Sequence, residues 1–262
     1  MAVVKPFIKR SDFLPRTEAW RPQFPAIGAG FDFSFGGALL PVRDHRAQDA
    51  YTSGDSMILP NALGAGYPPE YRQDTPTNHP LIETTNGLAW LSSPGIDTRV
   101  LKSSANVDIN DTDNFFLFRR LGAETTAYLA GRDGANVRIG FFSQKIRTTN
   151  LFGTNTGTVT FTALDWHIIH ARFRSASQPS FYRLLDLNGS EVDRIDFTDA
   201  PSGPTEINML MGSYYNGDLP IDAADAGLRR MLTYSHSGGI PTAPQYGAII
   251  AELAVDGAAL DA

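Results

Sequence analysis

Apolar and polar residues alternate over several short stretches of the chain, which is the pattern of half-buried β-strands. The alternation is clearest over 31–35 (FDFSF), and it returns at 87–91, 137–141, 159–161, 169–173, 207–211 and 228–234. Residues 115–118 (FFLF) are apolar at every position, so we expect a strand buried on both faces. Gly and Pro, which favour turns, separate these stretches. The sequence therefore predicts many short strands joined by loops.

Two local signals predict a hairpin and a helix. Asn188-Gly189 stands between two apolar runs, and both residues tolerate positive φ, so a type I′ hairpin turn is expected. Thr242 and Gln245 have the spacing of a capping box, and Gly257 would end the helix that follows. Long helices do not alternate with the strands, which argues against a parallel α/β fold. We expect an all-β protein with a short C-terminal helix.

Two segments depart from the strand pattern. Residues 1–24 hold three prolines, and five positive charges minus two negative charges leave +3. We expect an extended docking arm whose Phe7, Phe13 and Trp20 contact a neighbouring protein; a disordered tail is the alternative. Residues 56–84 hold five prolines and predict a long loop excursion. The β-sandwich domain is expected over 25–262.

Composition and charge narrow the classes of function. The chain has 262 residues, of which 42% are hydrophobic, enough for one domain with a sizeable core. A formal net charge of −6 argues against nucleic-acid binding, which needs Lys and Arg to displace counterions. With no cysteine, disulfides and cysteine-ligated zinc are excluded. We see neither a signal peptide nor a stretch of membrane-spanning length, so we expect synthesis in a bacterial host cytoplasm and no membrane partner.

Four segments carry a resemblance to a known family. Residues 166–173 (WHIIHARF), 185–192 (LDLNGSEV), 208–213 (NMLMGS) and 228–235 (LRRMLTYS) follow one another in a familiar order. Together they resemble the strands of concanavalin A-like (laminin-G-like) sandwiches. The resemblance implies a two-sheet antiparallel jelly-roll sandwich closed by a short helix. Because this superfamily includes carbohydrate-binding modules, adhesive domains, glycosidases and virion proteins, it predicts a fold and leaves the function open.

The sharpest candidate for catalysis lies on one strand. Glu191, Asp193 and Asp196 resemble the E-x-D-x-x-E motif of laminarinase-type glucanases, whose carboxylates line a cleft. Asp196 stands where that motif has Glu, and Glu191 directly follows a tight turn. We expect a solvated strand face instead, with Glu191 and Asp193 outward and Val192 inward, and no catalytic residue. Residues 54–56 (GDS) resemble an esterase nucleophile block, but no late D-x-x-H follows, so a polar turn is expected.

One loop offers groups for ligand contact. Tyr214, Tyr215, Asn216 and Asp218 follow a core strand at the expected rim of the sandwich. Tyrosine rings can stack on sugars or fill a protein interface, and the polar pair can bind hydroxyls. The alternative is that one of the tyrosines closes the edge of the core.

The sequence gives weaker support to a metal site and to a functional role of the histidines. Asp108, Asp111 and Asp113 supply oxygen ligands that suit Ca²⁺, and an Asx-rich turn is the favoured alternative. No other cofactor is expected. His167 and His170 are three residues apart on one strand and face opposite sides, so we expect structural histidines.

The resulting hypothesis is a non-enzymatic virion structural protein: a capsid decoration, head-fibre or tail component. It would form a homo-oligomer, join other virion proteins through the arm, and contact host glycans. One alternative is a carbohydrate-binding module without a structural role. Another is a glycoside hydrolase that uses Glu191 and Asp196.

Overall fold

The computed structural model describes residues 41–261 with internal gaps. The gaps are 64–69, 86–87, 94–97, 109–110, 123–125, 133–137, 151–152, 163, 174–179, 198–205, 208, 212–213, 217–218, 222–224 and 237–238. The docking arm over 1–24, with Phe7, Phe13 and Trp20, lies outside the described residues, as does the strand expected at 31–35.

Two antiparallel sheets form most of the described chain, and their strands are numbered in chain order. In spatial order, the first sheet contains β16 (Glu191–Phe197), β15 (Ser180–Leu185), β14 (Trp166–Phe173), β9 (Thr112–Arg120), β21 (Ala226–Ser235), β6 (Leu88–Ser92) and β5 (Leu81–Thr85), and β1 (Pro41–Arg46) also pairs with β21. The second contains β13 (Gly153–Thr156), β12 (Lys145–Asn150), β11 (Arg138–Phe142), β10 (Thr126–Arg132), β18 (Met209–Met211), β7 (Leu101–Ser103), β4 (Tyr71–Gln73), β3 (Ser56–Leu59) and β2 (Tyr51–Ser53).

Smaller elements complete the architecture. Two short strand pairs, β8 (Val107–Asp108) with β17 (Glu206–Ile207) and β19 (Tyr214–Asn216) with β20 (Leu219–Ile221), lie outside the two large sheets. Single 3₁₀ turns occupy Ala47–Asp49 and Pro76–Asn78. The C-terminal helix α1 spans Ala243–Asp261. No described helix combines the length and apolar character that a membrane crossing requires.

Aromatic side chains from the two sheets meet in the core between them. Phe118 on β9 stacks on Phe141 on β11 with ring centroids 5.1 Å apart, and Phe161 packs edge-on against both. The Tyr182 hydroxyl donates to the Gly140 carbonyl across the same interface at 3.3 Å. The expected all-β sandwich of two antiparallel sheets is therefore confirmed.

Helix α1 covers the outer face of the first sheet. Tyr246 on the helix packs 6.2 Å from the Phe115 ring of β9, and Leu253 on the same helix is fully buried. Phe115 and Leu117 face the helix while Phe116 and Phe118 face the second sheet. Both faces of β9 are therefore buried, which explains why residues 115–118 are apolar at every position. We call this first sheet the helix-covered sheet.

The helix begins as expected but continues past the expected end. The Thr242 backbone N–H donates to Gln245 Oε1 at 2.7 Å, which is one half of a capping box. Gly257 does not end the helix. It lies where α1 packs closely on neighbouring side chains, since a Cβ there would stand 2.9 Å from Leu187 Cδ2 and 3.2 Å from Leu117 Cδ1. Glycine at this position permits close packing.

Three other expectations are corrected. The stretch 56–84 is no continuous loop, because it contains β3, β4 and the start of β5. Residues 159–161 form no strand: the Phe161 side chain reaches the core from a loop, and its backbone N–H donates to the Gln144 carbonyl at 3.1 Å. The hairpin at Asn188-Gly189 exists, but only Gly189 has a positive φ, at 80°. Its N–H donates to the Asp186 carbonyl at 3.0 Å, so the turn spans 186–189 and is not type I′.

Candidate functional site

A β-bulge separates the carboxylates of the glucanase-like motif. Leu184 pairs with Asp193 and Leu185 pairs with Glu191, so that Val192 is the extra residue. The bulge turns Asp193 toward the interior, where it is 7% exposed, while Glu191 stays outside. The expectation that Glu191 and Asp193 both face outward is therefore wrong for Asp193.

Asp193 fastens a neighbouring loop to the edge of the helix-covered sheet. Its Oδ2 accepts a 3.0 Å hydrogen bond from the Val159 N–H, and its Oδ1 accepts one from the Arg194 N–H at 2.9 Å. A Cβ at Gly157 would clash with this carboxylate. The loop over 157–161 is therefore fixed on β16, and Asp193 has a structural role.

The other two carboxylates of the motif flank one guanidinium on the outer face. Arg194 Nη2 lies 2.7 Å from Asp196 Oδ1, and Arg194 Nη1 lies 3.6 Å from Glu191 Oε2. Arg183 also approaches Glu191 at 3.6 Å. The Arg194 guanidinium stacks over Phe181 at 4.6 Å. Glu191 and Asp196 thus lie on the same face of the sheet, because they pair with Leu185 and Phe181, which are four residues apart on β15. The guanidinium of Arg194 lies between the two carboxylates.

A more elaborate cluster lies under the beginning of α1, and we call it the Asp113 cluster. Asp113 on β9 is completely buried. Its Oδ1 accepts hydrogen bonds from His170 Nε2 at 2.6 Å and Arg172 Nε at 3.1 Å. Its Oδ2 accepts from His236 Nε2 at 2.8 Å and from the Tyr246 hydroxyl at 2.7 Å. This one carboxylate therefore joins β9 to β14, to the residue that follows β21 and to α1.

The partners of His170 fix its protonation. Its Nδ1 accepts a 3.0 Å hydrogen bond from Arg183 Nε, so Nε2 carries the proton that is donated to Asp113. Burial lowers the pKa of His170 to about 4, even though Asp113 opposes the shift. Burial alone would raise the pKa of Asp113, but hydrogen bonds from the two histidines and the charge of Arg172 hold it well below its usual range. At neutral pH the ionic pair is therefore Asp113 with Arg172.

This arrangement corrects the calcium hypothesis for Asp113. Both of its oxygens already accept two hydrogen bonds, so it has no free lone pairs for an ion. Asp111 is exposed with a φ of 51°, and its carbonyl accepts from the His236 N–H at 2.7 Å. Asp108 forms part of β8. Within the described ranges, no three His, Asp or Glu side chains are grouped as metal ligands. His170 is a satisfied structural histidine, as expected.

A second charged cluster fixes the middle of α1, and we call it the Arg230 cluster. Arg230 on β21 bonds Asp44 on β1 through Nε at 2.9 Å and Nη2 at 3.0 Å. Its Nη1 reaches Glu252 at 2.5 Å and Asp256 at 3.1 Å, both on the helix. Burial raises the pKa of Asp44 by itself, but Arg230 and Arg46 reverse the shift and lower it. Burial raises the pKa of Glu252 despite the charge of Arg230.

Sequence reasoning missed both clusters. Their signal was a charged residue within an apolar strand: Arg230 stands between Leu228 and Leu232, and Asp113 precedes the apolar run of β9. A second bulge, at Arg229, then places Leu228 and Arg230 on opposite faces, because Leu228 pairs with Phe118 and Arg230 pairs with Leu117. Neither bulge is visible in the sequence.

The remaining sequence-based candidates lie apart from both clusters. Tyr214, Tyr215 and Asn216 form β19, which pairs with β20 in a small hairpin, while Asp218 lies outside the described residues. Residues 54–55 form the turn between β2 and β3, and the hydroxyl of Ser56, the first residue of β3, donates to Asp74 Oδ1 at 2.5 Å. The polar turn expected there is confirmed.

Comparisons with known proteins show the fold. No family model and no curated protein matches the chain. Trypanosoma rangeli sialidase in complex with 2,3-difluorosialic acid matches with TM-score 0.58 and 8% identity, over 90% of this chain and 36% of that chain. A mutant of that sialidase displaying trans-sialidase activity matches with TM-score 0.58 and 9% identity, over 87% of this chain and 35% of the mutant chain. The sialidase in complex with sialic acid matches with TM-score 0.56 and 9% identity, over 90% of this chain and 36% of the sialidase chain. This chain spans about a third of the length of the sialidase chains, and at this identity the likeness is one of fold alone.

Proposed function

We propose that this chain is a non-enzymatic structural protein of the virion type, whose sandwich contributes to an assembly and contacts host glycans. The sandwich is assigned, as part of this proposal, to the concanavalin A-like superfamily. The buried carboxylates Asp44, Asp113 and Asp193 support a structural role, because each is bonded to internal partners that join strands, loops and helix. Removing one partner of such a group would leave a buried charge uncompensated, so each carboxylate holds the segments that it joins in place.

The position of Arg194 between Glu191 and Asp196 carries the non-catalytic part of the proposal. A glycosidase holds two carboxylates about 5–10 Å apart on either side of the bond to be cleaved. Here a guanidinium lies within ion-pair distance of both carboxylates and occupies the space between them. A hydrolase would require Arg194 to leave its stacked position over Phe181.

Catalysis is tested by incubation with a panel of β-glucans and sialosides and measurement of released sugar. We expect no turnover by the wild-type protein. Turnover that Glu191→Gln abolishes and the matched variant Glu83→Gln retains would establish the hydrolase alternative. Glu83 is a suitable control because it lies on β5, at the opposite edge of the same sheet.

Assembly is tested in the full chain through the arm. The variant Phe7→Ala/Phe13→Ala/Trp20→Ala removes the apolar contacts that the sequence predicts for 1–24, while the sandwich is left unchanged. We expect the wild-type protein to co-sediment with a large particle in extracts of the cells that produce it, and the variant to remain in the light fractions with an unchanged melting temperature. Equal co-sedimentation of both proteins would rule out assembly through the arm.

A carbohydrate-binding module is the second candidate. It is favoured by the structural likeness to a sialidase solved in complex with sialic acid, and by the presence of two tyrosines on the β19–β20 hairpin. Glycan-array binding that is lost in Tyr214→Ala/Tyr215→Ala and kept in Tyr51→Ala would support it. Tyr51 is a half-buried tyrosine on a different strand, β2, and controls for the loss of an aromatic ring. An array without bound glycans would count against this candidate.

A further inference from the structure

The strands at the two ends of the strand order of the helix-covered sheet, β16 and β5, differ in their side chains. At the β16 edge, the exposed residues Glu191, Arg194 and Asp196 are all charged. Charged side chains on an edge strand discourage pairing with another chain. At the β5 edge, Leu81 and Ile82 are 40% and 41% exposed, and β5 contains no Lys, Arg or Pro. Of these two edges, therefore, charged side chains protect the β16 edge against further strand pairing and leave the β5 edge unprotected.

The unprotected edge adjoins an apolar cavity between the two sheets. Leu91 of the helix-covered sheet and Pro80, the residue before β5, line it on one side, and Leu129 and Met211 of the second sheet line it on the other. Ile82 pairs with Leu91, so the two side chains lie on the same face of the sheet. The exposed Ile82 therefore continues the apolar surface of the cavity to the outside.

The register of β5 shows which of its backbone groups do not bond to β6. Thr85 pairs with Leu88, so only two residues connect β5 to β6. The residues that flank a two-residue hairpin exchange both hydrogen bonds, and bonded and non-bonded positions then alternate. Thr85, Glu83 and Leu81 consequently bond to β6, while Ile82 and Thr84 direct their N–H and C=O groups to the open edge. Within the described residues, β5 has β6 as its single partner strand.

We infer that β5 is a homodimerisation strand and that two copies pair antiparallel across a twofold axis centred on Ile82. An antiparallel strand is complementary to itself, because the same donors and acceptors meet their equivalents in the second copy. A twofold axis at Glu83 would oppose two like charges. An axis at Ile82 places Ile82 against its own copy as a hydrogen-bonded pair and sets Leu81 opposite Glu83. The two helix-covered sheets become one continuous sheet, and Ile82 is shielded together with the adjoining cavity.

The first test is the mass of the full chain by size-exclusion chromatography with light scattering. We expect a dimer for the wild-type protein and a monomer for Ile82→Lys, because a buried lysine at the twofold axis would face its own copy. Val255→Lys is the matched control, since Val255 is 55% exposed and lies on α1, outside the β5 strand. A wild-type monomer, or a dimer that Ile82→Lys leaves intact, would overturn the inference.

The second test uses the absence of cysteine from the chain. A single cysteine in Ile82→Cys should be cross-linked to its copy by a short bismaleimide, because paired residues across a strand interface lie about 5.5 Å apart at Cα. Asp196→Cys, on the protected β16 edge, should not cross-link. Equal cross-linking at both edges would indicate random collision and contradict the specific pairing.

A third measurement distinguishes self-pairing from coverage by the chain's own residues. Amides of Ile82 and Thr84 should exchange hydrogen slowly in the wild-type dimer and quickly in the Ile82→Lys monomer. Slow exchange at both positions in a wild-type monomer would show that another part of the same chain covers the edge. The inference does not rest on the virion proposal, since a β5 dimer can be present or absent whether or not the protein joins a particle.

Discussion

His170 Nε2 lies 2.6 Å from Asp113 Oδ1, although the two residues are 57 positions apart in the sequence. The pair lies at the centre of the Asp113 cluster, where β9, β14, β21 and α1 meet. Asp113 is ionised and His170 is neutral, so the negative charge is balanced by Arg172 and by hydrogen bonds. Removing one member of such a group leaves the others buried without partners.

Asp113→Asn should therefore destabilise the protein strongly. We expect a loss of about 3–5 kcal/mol in the free energy of unfolding, since Arg172 would remain buried without its counter-charge. Urea denaturation measures the change. Asp111→Asn is the control: this exposed neighbour should change stability by less than about 0.5 kcal/mol. If the two variants lose equal stability, the Asp113 cluster contributes little.

Stability should fall as the pH is lowered from about 6.5 toward 4. Burial lowers the pKa of both His45 and His170 to about 4, below the unfolded value of about 6.5. Between these values the unfolded state binds protons that the folded state excludes, so each histidine lowers the free energy of unfolding by up to about 1.4 kcal/mol per pH unit. Glu252 acts in the opposite sense near the acidic end, because its pKa is raised in the folded state.

His45→Phe isolates one of the two histidines. His45 is buried edge-on against Tyr71, with ring centroids 4.8 Å apart, so a phenyl ring can occupy its place. Urea denaturation at several pH values should give a slope reduced by about 1.4 kcal/mol per pH unit in this variant. A slope equal to that of the wild-type protein would show that His45 is not excluded from protonation in the folded state.

Arg230→Met should loosen the attachment of α1 to the sheet. The variant leaves Asp44 and Glu252 without their main counter-charge, so we expect a loss of about 3–5 kcal/mol. Arg194→Met is the matched control on the same sheet. Because the Arg194 side chain is 35% exposed, its ion pairs should contribute less than about 1 kcal/mol. Hydrogen exchange of α1 amides should quicken in Arg230→Met alone, and unchanged exchange would argue against anchoring by Arg230.

Two glycines within α1 should respond oppositely to alanine. Gly247 is exposed, and a Cβ added there would meet no atom within 4 Å, so Gly247→Ala should stabilise the protein by about 0.5–1 kcal/mol through helix propensity. Gly257→Ala places a methyl group against Leu187 and Leu117 and should cancel that gain or cost about 1–3 kcal/mol. Thermal unfolding of both variants measures the contrast. Equal stabilisation would mean that the contact at Gly257 relaxes freely.

Local sequence signals predicted much of the β-structure. Alternation located β6, β11, β14 and β21, because one period-2 pattern suffices to bury one face of a strand. The start of α1 followed from Thr242 and Gln245, whose hydrogen bonds are made within four residues. The hairpin at Gly189 was similarly local. These features depend on neighbours in the chain, so the sequence contains the information directly.

Sequence alone determined that this chain is all-β with a C-terminal helix, since alternation, turn residues and a cap act over short distances. The arrangement of the strands in two antiparallel sheets was implied by the family resemblance. The tertiary structure decided the faces and the partners. Bulges at Val192 and Arg229 reversed the side of Asp193 and Leu228, and contacts across many residues joined Asp113 to His170 and Arg230 to Asp44. Such choices depend on strand register and on what covers each face, and these are set only when distant segments pack together.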